Sequence, residues 1–317
     1  MKKNLVRMVC LLFFACSNNS GSNSSSNNNN GNPLPNPCGD VGGSSYEYVI
    51  TDIYVPRSLT EGVGVDYDGN GSVDNKLANL MGALLNESSE FEINDRLDNA
   101  IAQGELVVLG RILANNFTGD STVAISLFEG DFTGTDPADI ARGTGTFVRD
   151  EQSPNVGTVC GRIYGTGILQ AGPGDVTLSL PVNATQTISL ILHHTRMEGI
   201  TSPEGWQDMI LAGAVLPDDL KNSIIPNYVN NVNQEIQNDP QGSQFILNTF
   251  DNRCSPDIAG CAGHADCAAD GVITATELMC NSTINTILTP DVTIQGVAYV
   301  SFAVRVQAVR ADITNIP

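Results

Sequence analysis

Apolar positions along this chain follow two periods, and the switches between them divide it into segments. SYEYVITDIYV (45–55) is dense in aromatic and β-branched residues and predicts a first strand. The period then lengthens. In NKLANLMGALL, Leu77, Leu80, Leu84 and Leu85 fall at helical spacing. In INDRLDNAIAQ, Ile93, Leu97 and Ile101 lie four apart, with Gly104 placed to stop the helix. From residue 105 the pattern shortens again. ELVVLGRIL, STVAISLF, GTVCGRIYGTGIL, DVTLSL and QTISLIL are brief apolar runs separated by Gly, Asn, Asp and Pro, as in antiparallel sheet. DMILAGAVL adds a strand, and DDLKNSIIPNYVNNVNQEI returns to helical spacing, with Pro226 as a kink or break.

Near the end, VTIQGVAYVSFAVRVQAV puts Ala298, Val300, Phe302, Val304 and Val306 on one face of a long strand, which needs a sheet to join. The expected fold class is α+β and β-rich: an antiparallel sandwich or barrel-like sheet with a few helices. Residues 44–317 read as a single domain closed by its own C-terminus. A Cys-rich, EF-hand-like insert at 251–290 loops out of it.

The first 43 residues fit neither period. Lys2, Lys3 and Arg7 precede a short apolar run, Met8 to Ala15, too short to span a bilayer and suited to an export signal. The run ends at Ala15-Cys16 and resembles the cleavage site of bacterial lipoproteins, although Phe13 and Phe14 depart from the usual Leu-then-small pattern. That resemblance implies a signal peptide over 1–15 and lipidation of Cys16. The SNNSGSNSSSNNNNGNPLPNP tract holds almost nothing that could be buried, so 16–43 reads as a lipidated cysteine and a flexible tether.

Charge and cysteines sharpen this picture. The formal net charge is −20, and loss of Lys2, Lys3 and Arg7 with the signal takes it to −23. Such a surface repels phosphate backbones, which argues against a nucleic-acid partner, and it favours cations. Beyond Cys10 and Cys16, the chain keeps Cys38, Cys160, Cys254, Cys261, Cys267 and Cys280. An even number in an exported chain is expected to form disulfides, with the pairing open; a zinc site near His264 is the rival, but no C-x-x-C pair supports it.

The chemically richest stretch is DYDGNGSVDN (66–75). Calcium needs several hard oxygens, which a short loop supplies by alternating ligands with tight turns. Asp66, Asp68 and Asn70 hold the first, third and fifth positions of an EF-hand-like loop, and Gly71 the turn. Ser72 offers its carbonyl at the seventh and Asp74 fills the ninth. At the twelfth, where EF-hands carry a bidentate acid, stands Leu77; Glu61, Glu87 and Glu90 are candidates for a replacement. A polar turn whose Asp74 or Asn75 caps the next helix is the competing reading.

DCAADGVITATE (266–277) echoes the pattern with Asp266, Asp270, Gly271, the carbonyl of Val272, and Glu277 at the twelfth position, but Ala268 removes the third ligand. The loops resemble EF-hand and dockerin-type calcium loops. The chain as a whole resembles exported bacterial lipoproteins of uncharacterised role that carry an Asp-rich loop ahead of a β-rich body. The resemblance brings no activity with it.

Signs of an enzyme are weak. His193-His194 on a strand should face opposite ways, one to the core and one to solvent. None of G-x-S-x-G, H-E-x-x-H or G-x-x-x-x-G-K-[ST] occurs. The expectation is therefore a non-enzymatic, calcium-binding lipoprotein of the bacterial cell envelope, lipid-anchored at the outer membrane or cell surface. It would act as a binding or structural module, with an envelope protein or glycan as partner. The alternative is a secreted hydrolase whose catalytic acids carry no motif.

Overall fold

The computed structural model describes residues 38–39, 41–76, 93–150, 157–183, 186–241 and 243–314. The expected signal, Cys16, the expected tether up to residue 37, the Leu77–Leu85 pattern, Glu87 and Glu90 lie outside them.

Eight strands form a closed antiparallel barrel. They run β1 (Ser44–Tyr54), β2 (Val108–Ala114), β3 (Asp120–Phe132), β5 (Thr158–Tyr164), β6 (Ile168–Asn183), β7 (Gln186–Ser202), β8 (Gly205–Val215) and β10 (Val297–Arg310). Each pairs with the next in this order, and β10 returns to β1 to close the ring. Closure pairs each of these eight strands on both sides, which leaves free edges only at the short added strands among the described residues. Of the two expected arrangements, sandwich or barrel, the barrel forms.

The interior is filled rather than hollow. Trp206 and Tyr48 pack with ring centroids 5.2 Å apart, among Ile112, Ile125, Met197, Met209 and Val306, all buried. Gly110 lies opposite Tyr48 in the ladder, and a Cβ there would sit 2.4 Å from the Trp206 ring. The glycine in the strand makes room for the largest side chain of the core.

Part of the outer wall is covered. Helix α1 (Ile93–Ala102) buries Leu97 and Ile101, α2 (Ala138–Arg142) buries Ile140, and β4 (Thr146–Arg149) pairs in parallel with β11 (Asp312–Thr314). These join Val49, Leu109 and Phe128 in the main apolar cluster. Gly104, with φ 73°, ends α1 as its position suggested.

Of the two outcomes expected at Pro226, a kink or a break, the break does not occur, and a second expectation is corrected outright. A five-residue wide turn, Leu220–Ile224, leads into α3 (Ile225–Asn238), and Pro226 is the second residue of α3. The missing N–H thus falls where the helix changes from wide to ordinary turns. The C-terminal run is not one strand either. It is a hairpin of β9 (Val292–Ile294) and β10, turned at Gln295 and Gly296, both at positive φ.

The Cys-rich segment forms its own small core. α3, α4 (Gln244–Phe250), α5 (Ala275–Cys280) and α6 (Ser282–Leu288) bring together Val232, Ile236, Ile246, Phe250, Ile273, Leu278 and Leu288. Disulfides Cys254–Cys267 and Cys261–Cys280 interlace across it. The third, Cys38–Cys160, ties the start of the described chain to β5. No helix of the described residues is long and apolar enough to cross a membrane.

Candidate metal centre

The loop after β1 lies on the outside of the barrel, over β8 and β10. Val63 and Val65 are buried against Ala212 and Ala303, with Tyr67 and Ile210 alongside. Val65 and Asp74 form an isolated antiparallel bridge, with Asp74 N–H donating to Val65 O at 3.0 Å. The intervening residues are thereby closed into a ring.

Asn75, buried, fixes that ring to the barrel. Its Nδ2 donates to Val63 O (3.0 Å) and Ala303 O (2.8 Å), and its Oδ1 accepts from Ala303 N–H (3.2 Å). Lys76 N–H donates to Ser301 Oγ at 2.8 Å. An amide side chain here serves both backbone groups of one β10 residue, as a neighbouring strand would.

Inside the ring the acidic side chains organise the backbone. Asp66 accepts from the N–H groups of Gly69 (2.6 Å), Asn70 (3.1 Å) and Gly71 (2.8 Å). Asp68 accepts from Asn70 N–H at 3.0 Å, and Asn70 Oδ1 accepts from Ser72 N–H at 2.8 Å. Asp74 Oδ2 accepts from Tyr67 N–H at 2.7 Å. Gly69 and Gly71 both have positive φ, so the loop curls tightly around its own carboxylates.

The result brings Asp66, Asp68 and Asp74 together: one carboxylate oxygen from each lies within 4.8 Å of the others. The N–H bond from Gly71, supported by those from Gly69 and Asn70, holds the Asp66 carboxyl below its ordinary pKa. Asp74 is pushed the other way, first by burial and then by the charges of Asp68 and Asp291. Three carboxylates brought this close offer hard oxygen donors, the type that calcium takes. Crowded acids of this kind gain from a cation, since it offsets the repulsion that adds to burial in raising Asp74.

Glu61 does not turn toward this group. Its carboxylate accepts from Tyr54 Oη and from Arg57 N–H (2.9 Å). The acid that acts on Asp74 from afar is Asp291, which accepts from Ser301 N–H at 2.8 Å and from Ser301 Oγ. Sequence reading missed it, because only the β9–β10 hairpin carries it there.

The second loop makes the same turn with a different anchor. Gly271, like Gly71, has positive φ (79° against 86°). Val272 N–H donates to Asp270 Oδ1 at 3.0 Å, just as Ser72 does to Asn70. Asp270 N–H (3.3 Å) and Gly271 N–H (3.0 Å), however, donate to Asp251 at the end of α4, not to Asp266. Asp266 accepts from Thr276 Oγ1 at 3.0 Å and lies 3.7 Å from His264 Nδ1.

Glu277 is fully buried and accepts from Asn252 N–H (2.7 Å), Thr274 N–H (2.9 Å) and Thr274 Oγ1 (3.2 Å). With Thr274 it forms the capping box of α5. Asp266, Asp270 and Glu277 are not drawn to one point, and Val272 is 46% exposed. Asp251 carried no signal in the motif. It reaches the loop because Cys254–Cys267 holds the end of α4 against it.

The histidine pair departs from expectation. Both rings are half-buried and face Tyr299, with centroids at 5.7 Å and 5.5 Å. An irregularity between His193 and Arg196, with His194 at φ 52°, breaks the strand's alternation. Asp175 lies 3.3 Å from His193 Nδ1 and accepts from His194 N–H at 3.2 Å.

Comparison with protein-family models, curated proteins and solved structures gives no match to this chain.

Proposed function

We propose that this chain is a calcium-binding lipoprotein of the bacterial envelope, anchored through Cys16, whose barrel serves as a binding or structural module rather than an enzyme. The observation that carries the calcium reading is the convergence of Asp66, Asp68 and Asp74 in a ring fixed to β10. Asn70 and the Ser72 carbonyl complete the protein's share of the shell. The ion is structural: it neutralises the acids of a loop that already packs on the barrel wall. In the second segment, Glu277 serves α5 and Asp251 serves the turn, so the disulfides do there what the ion does in the first.

Calorimetric titration of the purified protein tests this. It should take up one calcium per chain, with a Kd on the order of 10⁻⁴ to 10⁻³ M, as in extracellular calcium modules. Asp66→Ala with Asp68→Ala should abolish the signal; an undiminished signal would place calcium elsewhere. Anchoring has a separate test. Fatty-acid labelling should mark the protein and be lost in Cys16→Ser, and labelling that survives the substitution would refute lipidation at that residue.

A further inference from the structure

The barrel wall opposite the covered strands carries a recess that none of the preceding roles uses. It spans β5, β6 and β7 on the outer face and encloses about 320 Å³. Arg162, Gln170 and Glu198 stand in register across the three strands, and Arg196 lies two residues from Glu198 on the same face. Two irregularities open the wall. One lies in β3 between Asp120 and Val123, where Ser121 lines the rim; the other is in β6 between Ala171 and Gly174. At Gly172, φ 110°, a Cβ would lie 2.4 Å from Thr195 O and 3.0 Å from Arg196 Cγ, so the missing side chain leaves room for the base of Arg196.

Both arginines are held without being neutralised. Arg162 stacks on Tyr164, 4.7 Å from the ring centroid, and Arg196 on Tyr67 at 5.2 Å. Neither forms an ion pair with a carboxylate among the described residues. In a chain with 35 acidic and 15 basic residues, two guanidinium groups at one recess whose described lining holds a single acid, Glu198, are a local reversal of charge. The strands that carry them are two spacings apart, roughly 10 Å, a span that one small ligand can bridge.

We infer that this recess binds a sugar acid, with Arg162 and Arg196 receiving its carboxylate charge and Gln170, Glu198 and Ser121 its hydroxyl groups. Guanidinium forks match planar carboxylates, and stacking on a ring pre-orders them for that role. Glu198 decides against phosphate: its carboxylate in the lining opposes two charges concentrated on one small group, whereas a sugar acid carries one charge per unit and offers hydroxyl hydrogens for it to accept. The volume suits one or two sugar units. No lining residue of the recess is an acid of the ring, although Arg196 stacks on Tyr67, whose N–H donates to Asp74, so Arg162→Gln, away from the ring, separates the two readings.

Ligand-observed NMR and calorimetry on the intact protein with digalacturonate, its neutral counterpart galactobiose and inorganic phosphate test it. Digalacturonate should bind saturably and at least tenfold more tightly than galactobiose. Arg162→Gln, at an exposed position, should weaken it at least tenfold with the melting temperature unchanged, and Arg196→Gln should do the same. Glu198→Gln should admit phosphate. Equal binding of galactobiose, equal binding of phosphate to the unmodified protein, or no binding of digalacturonate would each overturn the assignment.

Discussion

Two loops of this protein, 66–75 and 266–277, share a sequence pattern and a backbone turn but not an arrangement of acids. In both, a glycine at the sixth position has a left-handed backbone, and the side chain at the fifth position accepts from the N–H two residues on. The difference lies in what anchors the turn. In the first loop the anchor is its own leading residue, Asp66, so the acids of the loop face inward together. In the second the anchor is Asp251 from α4, which leaves Asp266 turned outward to Thr276 and His264. Glu277, the acid the first loop lacks, is consumed by the cap of α5. A ligand pattern therefore specifies the turn, whereas convergence of the ligands depends on which residue holds its amides.

The largest expected effect comes from separating the two braces. Replacing Cys261 and Cys280 by Ser should lower unfolding free energy by about 3 kcal/mol, since the bond closes a loop of 19 residues. Calcium affinity should stay the same. Loss of the calcium response in that variant would show the two regions to be coupled and break the comparison.

Next in size is Asp66→Ala with Asp68→Ala. It should erase the calcium-dependent part of stability, about 2.7 kcal/mol at 100 times Kd. Glu277→Ala should cost about 2 kcal/mol with or without calcium, because it leaves Asn252 and Thr274 N–H groups without their acceptor. A Glu277 variant that abolished the calcium response would reverse the ranking of the loops. Asp251→Ala should destabilise the second segment by about 1 kcal/mol while Asp266→Ala does less, as denaturant titrations can resolve. The opposite order would return the anchor to Asp266.

The smallest effect lies outside both loops and serves as a reference. Burial first, then the charge and hydrogen bond of Asp52, raise the Asp98 carboxyl above its ordinary value. The fold thus binds more protons than the unfolded chain between the ordinary and the raised value, and its stability falls as pH rises through that window. Asp98→Asn should stabilise at pH 7 by less than about 0.5 kcal/mol, because water screens a largely exposed pair. The gain should vanish below the ordinary carboxyl value, and a gain that persisted there would exclude Asp98 titration as its source.

Much of the fold was legible because burial on one side imposes a period. Strands β1, β2, β3 and β8 and helix α1 fall where alternation or four-residue spacing placed them. That the C-terminal strand closes the sheet was legible from its long alternation; the choice of barrel over sandwich was not, because the pairing of β10 with β1 joins distant residues that no local pattern links. The C-terminal hairpin had a signal in Gln295-Gly296, but the strong alternation that follows concealed it. In the site, Asp66, Asp68 and Asp74 were legible from spacing alone. Asn75, Asp251 and Asp291 act through contacts made only by the folded chain: Asn75 with Ala303, Asp251 across a disulfide, Asp291 through a hairpin. Residues that orient a site are harder to read than residues that form it.

Thermal unfolding in EDTA and in millimolar calcium, with disulfides intact, tests the central claim most directly. The account predicts a melting temperature raised by calcium and far less by magnesium, with no rise in the Asp66→Ala, Asp68→Ala variant. Coincident curves in EDTA and calcium for the unmodified protein would contradict it and leave the first loop as a turn that uses its acids only to hold its own backbone.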